Sequence, residues 1–191
     1  PAGDRLASTD RPVSAERFAE RADRAGSPMT RNRMASRGAR IRLLVADDHA
    51  LLRQALRVLL DAQDGLEVVG EATNGRDAVE VAERLQPDVI LMDMVMPGLN
   101  GIDATRQIIK RSPGTRILIL TAYLEDERLL QALRAGAAGY VVKNSDMDEL
   151  LLAIQSVHRG NTYFSTTVSE EISVHEILLQ SKQPEGKTGY E

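Results

Sequence analysis

The chain has 191 residues, 42% of them hydrophobic, which suffices for one domain with a full core plus extra segments. Aromatics are only 3% with no Trp, so the core is aliphatic and a base-stacking surface for single-stranded nucleic acid is not expected. A net charge of −4 argues against a strong polyanion binder, and the lack of Cys excludes disulfides and thiolate metal sites and fits a cytoplasmic protein. No apolar stretch approaches the roughly 20 residues that span a bilayer, so no membrane partner is expected.

Residues 1–40 are rich in Arg, Ala and Ser and have no apolar segment of the kind found in a secretory leader. The interspersed Asp4, Asp10, Glu16, Glu20 and Asp23 argue against an organelle transit peptide, and the segment is expected to be a disordered extension, with Met29 or Met34 as candidate true starts. From residue 41 short apolar runs alternate with helical stripes, the pattern of βα units around a parallel sheet. Strands are predicted at 41–47, 66–72, 88–93, 116–122 and 139–143; the first, third and fourth are rich enough in Leu, Ile and Val to be buried on both faces.

The first intervening helix carries Leu52, Ala55, Leu56 and Leu59 as its predicted core stripe, and the second Ala78, Val81, Ala82 and Leu85. The third is predicted from about 102 to 110, ahead of Pro113, and the fourth from about 126 to Gly136. The fifth buries Leu150, Ala153, Ile154 and Val157; it is expected to open with Ser145 and Asp148 as a capping box and to end at Gly160. The domain is therefore placed at 41–160. Residues 161–191 break the rhythm: Thr167 and Glu170 form a second expected capping box, Val168, Ile172, His175 and Leu179 share a helical face, and a turn-rich stretch comes last. One helix cannot bury a core of its own, so this piece is expected to be a linker.

The chemistry gathers at strand ends. In Pro87-Asp-Val-Ile-Leu-Met-Asp93-Met-Val-Met-Pro97-Gly98 an apolar strand ends on Asp93, and Asp47 and Asp48 follow Ile41-Arg-Leu-Leu-Val-Ala46 in the same way. Open α/β sheets place ligands at this C-terminal edge. Two unit charges about 4 Å apart at an effective dielectric near 20 repel by roughly 4 kcal/mol, so three carboxylates in one pocket call for a hard cation such as Mg²⁺, leaving Asp93 ionised and nucleophilic. The plainer alternative for Asp47 and Asp48 is capping of the next helix. Thr121-Ala122 and Lys143 end two further strands at this edge, and a hydroxyl and an ammonium suit the oxygens of a phosphorylated Asp93.

These residues make the sequence resemble the receiver domain of bacterial two-component response regulators over roughly residues 40–160. The resemblance rests on the acid pair, Asp93 with Met96-Pro-Gly and Gly101, Thr121, and Lys143 with Tyr140 three residues ahead. The phrases Val45-Ala-Asp-Asp-His-Ala50 and Ala135-Gly-Ala-Ala-Gly-Tyr-Val-Val-Lys143 are similar to the NarL/FixJ branch, whose members usually carry a LuxR-type helix-turn-helix. The resemblance implies a flavodoxin-like (βα)5 fold, a doubly wound parallel sheet of strand order 2-1-3-4-5 with an extra C-terminal linker helix. It implies that Asp93 accepts a phosphoryl group from a sensor histidine kinase. Asp48, Asp93 and the Val95 backbone carbonyl would hold Mg²⁺, with Asp47 acting through water. Lys143, Thr121 and the Ala122 N–H would grip the phosphoryl oxygens. Thr121 would swing towards the phosphate, letting Tyr140 rotate inward and remodel the face of the fourth helix, fifth strand and fifth helix. A homodimer on phosphorylation and transcription control are further implications, with no enzymatic activity beyond its own phosphorylation and dephosphorylation.

Two departures stand out. Val95 is apolar where many receivers carry a polar side chain, and Tyr123 is placed to lie over the site, so slow self-dephosphorylation is expected. A DNA-reading helix needs basic side chains, yet 165–191 offers only Lys182 and Lys187; DNA is expected to be reached only through an output domain outside this chain. The chain is expected to stop between receiver and output domain rather than to be a stand-alone receiver. Two rival readings remain: a phosphohydrolase resembling the haloacid dehalogenase family, which wants an acid where Val95 stands, and a degenerate receiver serving as a binding module, against which the intact acid pair, Asp93, Thr121 and Lys143 speak.

Overall fold

The apolar runs form strands and the amphipathic stretches helices in strict alternation. In chain order they are β1 (Ile41–Ala46), α1 (Ala50–Asp61), β2 (Leu66–Ala72), α2 (Gly75–Leu85), β3 (Val89–Asp93), α3 (Gly101–Arg111), β4 (Arg116–Thr121), α4 (Asp126–Ala135), β5 (Gly139–Val142), α5 (Met147–His158), β6 (Tyr163–Phe164) and α6 (Thr166–Glu171). This is a computed structural model describing residues 40–171. All strand pairs are parallel and the sheet order is β2-β1-β3-β4-β5-β6. The five-strand order agrees with the expected flavodoxin-like fold. The chain reverses its direction of winding at β1, and β1 and β3 lie side by side there, so the crevice beyond their C-terminal ends is the switch point at which open α/β sheets bind ligands.

Strand alternation divides the core in two. Leu44, Ala46, Ile90, Met92, Ile117 and Ile119 face the layer of α2, α3 and α4. Leu43, Val45, Val89, Leu91 and Leu118 face α1 and α5. Both faces are covered, which is why β1, β3 and β4 need near-continuous apolar sequence. No helix among the described residues is long and apolar enough to cross a membrane.

The structure corrects four sequence expectations. On α1 the row facing the core is Leu56 and Leu60, buried, with Leu52 partly buried beside them; Ala55 is exposed and Leu59 is 47% exposed. The helix is apolar at so many positions that several stripes fit a 3.6-residue period, and packing against the sheet selects the one ending on Leu60. The cap of α5 is Asp146, whose carboxylate accepts the Glu149 N–H at 2.8 Å, while Ser145 belongs to the preceding turn and donates its N–H to the Val142 carbonyl.

The other two corrections concern the C-terminal segment. Residues 163–164 add a sixth strand, with Gly139 opposite Tyr163 and Tyr140 opposite Phe164. Helix α6 then starts at Thr166, one residue before the expected Thr167 cap, with the Ser169 N–H on the Ser165 carbonyl. Val168 is fully buried, so this segment docks on the domain through at least that side chain. Ile172, His175 and Leu179 of the expected helical face, the turn-rich stretch and residues 1–39 lie outside the described residues.

The corrected α1 register has a direct test in urea unfolding. Leu60→Ala is expected to cost about 2–5 kcal/mol, as for a fully buried leucine. Leu59→Ala should stay below about 1 kcal/mol.

Candidate functional site

Asp93 is the last residue of β3, 4% exposed, and the loop leading from it to α3 is held by close backbone contacts. The Gly101 N–H donates to the Met94 carbonyl at 3.0 Å, and a Cβ at Gly101 would collide with the Asp93 carbonyl oxygen, so only glycine lets α3 start there. Gly75 clamps the same loop from α2: its N–H donates to the Leu99 carbonyl at 3.1 Å, against which a Cβ would again collide. The strand end carrying Asp93 and the far end of its loop are thus each fixed by a glycine.

Beyond β1, Asp47 is 1% exposed and its carboxylate is fully engaged. Oδ1 accepts the His49 backbone N–H at 2.8 Å and Oδ2 accepts the Lys143 ammonium at 2.8 Å. Lys143 Nζ also lies 3.0 Å from Asp93 Oδ1, so one ammonium joins the ends of β1 and β3. The Asp48 side chain, 34% exposed, faces the same place. Helix α1 takes His49 as its N-cap with no side-chain cap bond, which rules out the plain capping role considered for the acid pair.

His49 is a member of the cluster that sequence reasoning left without a role. Its Nδ1 sits 2.9 Å from Asp48 Oδ1 and 3.2 Å from Asp47 Oδ1, and ligand atoms of Asp47, Asp48, His49 and Asp93 lie within 4.8 Å of one another. The signal available was its position immediately after two acids.

The electrostatics follow from burial. Burial raises the Asp93 carboxyl above the ordinary range; hydrogen bonding and attraction from Lys143 pull it down, and the Asp47 charge adds to the rise. Burial also pulls Lys143 down, but its hydrogen bonds to Asp47 and Asp93 outweigh that and hold the ammonium above its usual value. One cation facing three carboxylates leaves an excess of negative charge. Aspartate oxygens from two strand ends, with Asp48 open to solvent, form a donor set that fits a hard dication such as Mg²⁺.

The remaining expected residues share the edge but not one arrangement. Thr121 ends β4, buried, with its hydroxyl donating to the Tyr123 carbonyl at 2.8 Å rather than turned to the acids. Ala122 is exposed beside it. The Val95 N–H is 3.4 Å from Asp93 Oδ1, while the side chains of Val95 and Tyr123 are largely exposed. Tyr140 is fully buried, with its hydroxyl 4.0 Å from Met94 Sδ; burial raises its phenol, partly offset by a hydrogen bond with Thr121. It is neither a half-buried edge aromatic nor a side chain waiting to turn in. It already lies inward, in one cluster with Val168 and against Phe164.

Comparison with known proteins agrees with this geometry. The response regulator receiver domain family matches residues 43–155. Response regulator GacA of Pseudomonas aeruginosa is 37% identical over 145 residues, covering 76% of this chain and 65% of that protein. Oxygen regulatory protein NreC of Staphylococcus carnosus is 38% identical over 149 residues, covering 78% of this chain and 68% of that protein. The crystal structure of a LuxR-family two-component response regulator from Aurantimonas sp. SI85-9A1 superposes with a TM-score of 0.68 at 35% identity, over 73% of this chain and 99% of that one. The chain belongs to the response regulator receiver family. It spans about two thirds of the length of these curated relatives.

The raised Asp93 carboxyl sets a pH-dependent expectation. Asp93 titrates higher folded than unfolded, so its ionisation costs stability; the cost is absent below the unfolded value near 3.9 and grows as pH rises through the folded one. Without divalent metal, Asp93→Asn is expected to melt above wild type at pH 7, and the difference should shrink towards pH 3. Calorimetric melts at the two pH values check it.

Proposed function

We propose that this chain is a phosphorylation-dependent signalling switch in which Asp93 accepts a phosphoryl group from a sensor histidine kinase. The observation that carries the reading is the Lys143 ammonium held between Asp47 and Asp93 beside a solvent-open Asp48. An Asp93 carboxylate oxygen attacks phosphorus, the phosphorus–nitrogen bond of the donor phosphohistidine breaks, and the imidazole leaves with the electron pair. Lys143 is already within reach of an Asp93 oxygen and turns to the incoming phosphoryl oxygens. The Thr121 hydroxyl would exchange the Tyr123 carbonyl for a phosphoryl oxygen, with the Ala122 N–H beside it.

Asp48, Asp93 and the Val95 backbone carbonyl would hold Mg²⁺, with Asp47 acting through water. The ion supplies positive charge to the carboxylates and to the transferred group. Asp47 suits the indirect role, since Lys143 and His49 already occupy its oxygens.

The output would be a two-state shift. Phosphate can bias it only by binding one state better, and Thr121 is the group whose bonding changes. With Tyr140 already inward, phosphorylation would hold that state by drawing Thr121 across, stabilising one form of the α4–β5–α5 face. Control of a DNA-binding output domain is supported by a similar structure described as a DNA-binding response regulator of the LuxR family, and homodimerisation on phosphorylation would accompany it. Residues 161–191 would then form the linker towards that domain. The chain acts on no substrate but itself; the exposed Val95 offers no acid for a dehalogenase-type phosphohydrolase.

Two measurements check the reading. Intact-mass spectrometry after incubation with Mg²⁺ and acetyl phosphate should show one added phosphoryl group on wild type and none on Asp93→Asn. A folded wild type without mass gain would leave only the binding-module reading. Val95→Asn should shorten the half-life of the phosphorylated form by several fold, by placing a polar side chain where a hydrolytic water could be oriented. A half-life unchanged or longer sinks the slow-dephosphorylation idea.

A further inference from the structure

Arg53 stands in the first turn of α1, where a positive charge opposes the helix dipole. Its side chain is nonetheless only 12% exposed, so its position needs another explanation. Nε donates to Glu71 Oε2 on β2 at 3.0 Å, and a terminal guanidinium nitrogen donates to the Asp47 backbone carbonyl at 2.8 Å.

Helices α2, α3 and α5 begin with side-chain caps from Asn74, Asn100 and Asp146, whereas α1 has no such cap and no acid in its first turn. The turn from β1 into α1 is tied instead by an arginine reaching back from inside the helix. The carbonyl it holds belongs to the planar peptide joining Asp47 to Asp48, so fixing that oxygen fixes the plane from which the Asp48 side chain departs. Arg57 is the natural contrast: it also pairs with Glu71, at 2.8 Å, and with Asp61, at 3.7 Å, but it is 47% exposed and these partners are carboxylates on β2 and α1 rather than the Asp47 carbonyl.

We propose that Arg53 is a positioning residue that aims Asp48 at the metal by pinning the Asp47 carbonyl, with Glu71 fixing its guanidinium. This rests on the functional reading above. Because a planar fork serves two partners at once, lysine replaces it only in part.

The test uses the full chain and two readouts: Mg²⁺ affinity by titration calorimetry, and the Mg²⁺ dependence of acetyl phosphate labelling by intact mass. Arg53→Ala is expected to weaken Mg²⁺ about tenfold, the size seen when an outer partner of a metal ligand is lost. It should raise the Mg²⁺ concentration for half-maximal labelling by the same factor, with the rate at saturating Mg²⁺ within about twofold of wild type. Arg57→Ala, which also removes a Glu71 partner, should leave both quantities within about twofold, and Arg53→Lys should fall between. Equal shifts in the two alanine variants, or a rate lowered alike at every Mg²⁺ concentration, would make Arg53 merely structural and overturn the proposal. If Arg53→Ala does not fold, Arg53→Lys decides, and a wild-type affinity there overturns it. A wild type that neither binds Mg²⁺ nor gains mass defeats the functional reading itself, and is told apart because no variant then differs from it.

Discussion

Everything at this site depends on the placement of the Lys143 ammonium between Asp47 and Asp93. Neighbouring carboxylates repel by several kcal/mol when buried together, so without a cation one of the acids gathered by the strand ends would be held towards its protonated form. Lys143 sits just past β5 while its partners sit at β1 and β3, with β4 between β3 and β5. The contact therefore exists only because the whole sheet is in register, Ala46 opposite Met92, Asp93 opposite Leu120 and Thr121 opposite Val142. The aliphatic core is what sets that register, and the ion pair is its consequence at the edge.

One lysine against three aspartates is an incomplete neutralisation, and the incompleteness has a use. Burial pushes the Asp93 carboxyl towards its protonated form, whereas the proposed nucleophile must be ionised. A dication bound there would resolve the conflict by favouring the ionised form. The backbone around Asp93 is correspondingly stiff: Gly101 and Gly75 allow contacts closer than any side chain would permit, so the carboxylate meets its partners without reorganising the loop. Stability is given up locally for an arrangement fixed in advance.

Much of this was legible because the chemistry lies where hydrophobic runs stop. An apolar strand ending on an acid, a threonine or a lysine is visible in one dimension, and parallel topology then gathers the ends at one edge. Less was legible where several solutions satisfy the same pattern. Leu59 and Leu60 are adjacent in an all-apolar stretch, and only tertiary contact distinguishes them. The cap at Asp146 rather than Ser145 turns on which residue the β5–α5 turn consumes, a backbone matter. Strand β6 is two residues long, too short for any periodicity, and forms because β5 offers an unpaired edge. His49 followed the acids in plain sight, but a histidine beside acids has many ordinary explanations until the distance from its ring to each carboxylate is known.

The sixth strand changes how Tyr140 must be understood. A tyrosine on an open sheet edge has water on one side and can turn outward at little cost. Here that side is covered: Phe164 pairs beside Tyr140, Val168 packs into the same cluster, and the Tyr140 carbonyl accepts the Ser165 N–H at 3.1 Å. Turning Tyr140 outward would disturb these contacts and expose a cluster that is now buried. Thr121 is held by the backbone of its own turn, with its hydroxyl on the Tyr123 carbonyl, and by its hydrogen bond with Tyr140. The chain leaving α5 is fastened to the same tyrosine by that backbone hydrogen bond, so the start of the helix after β6 is placed by the position of β5.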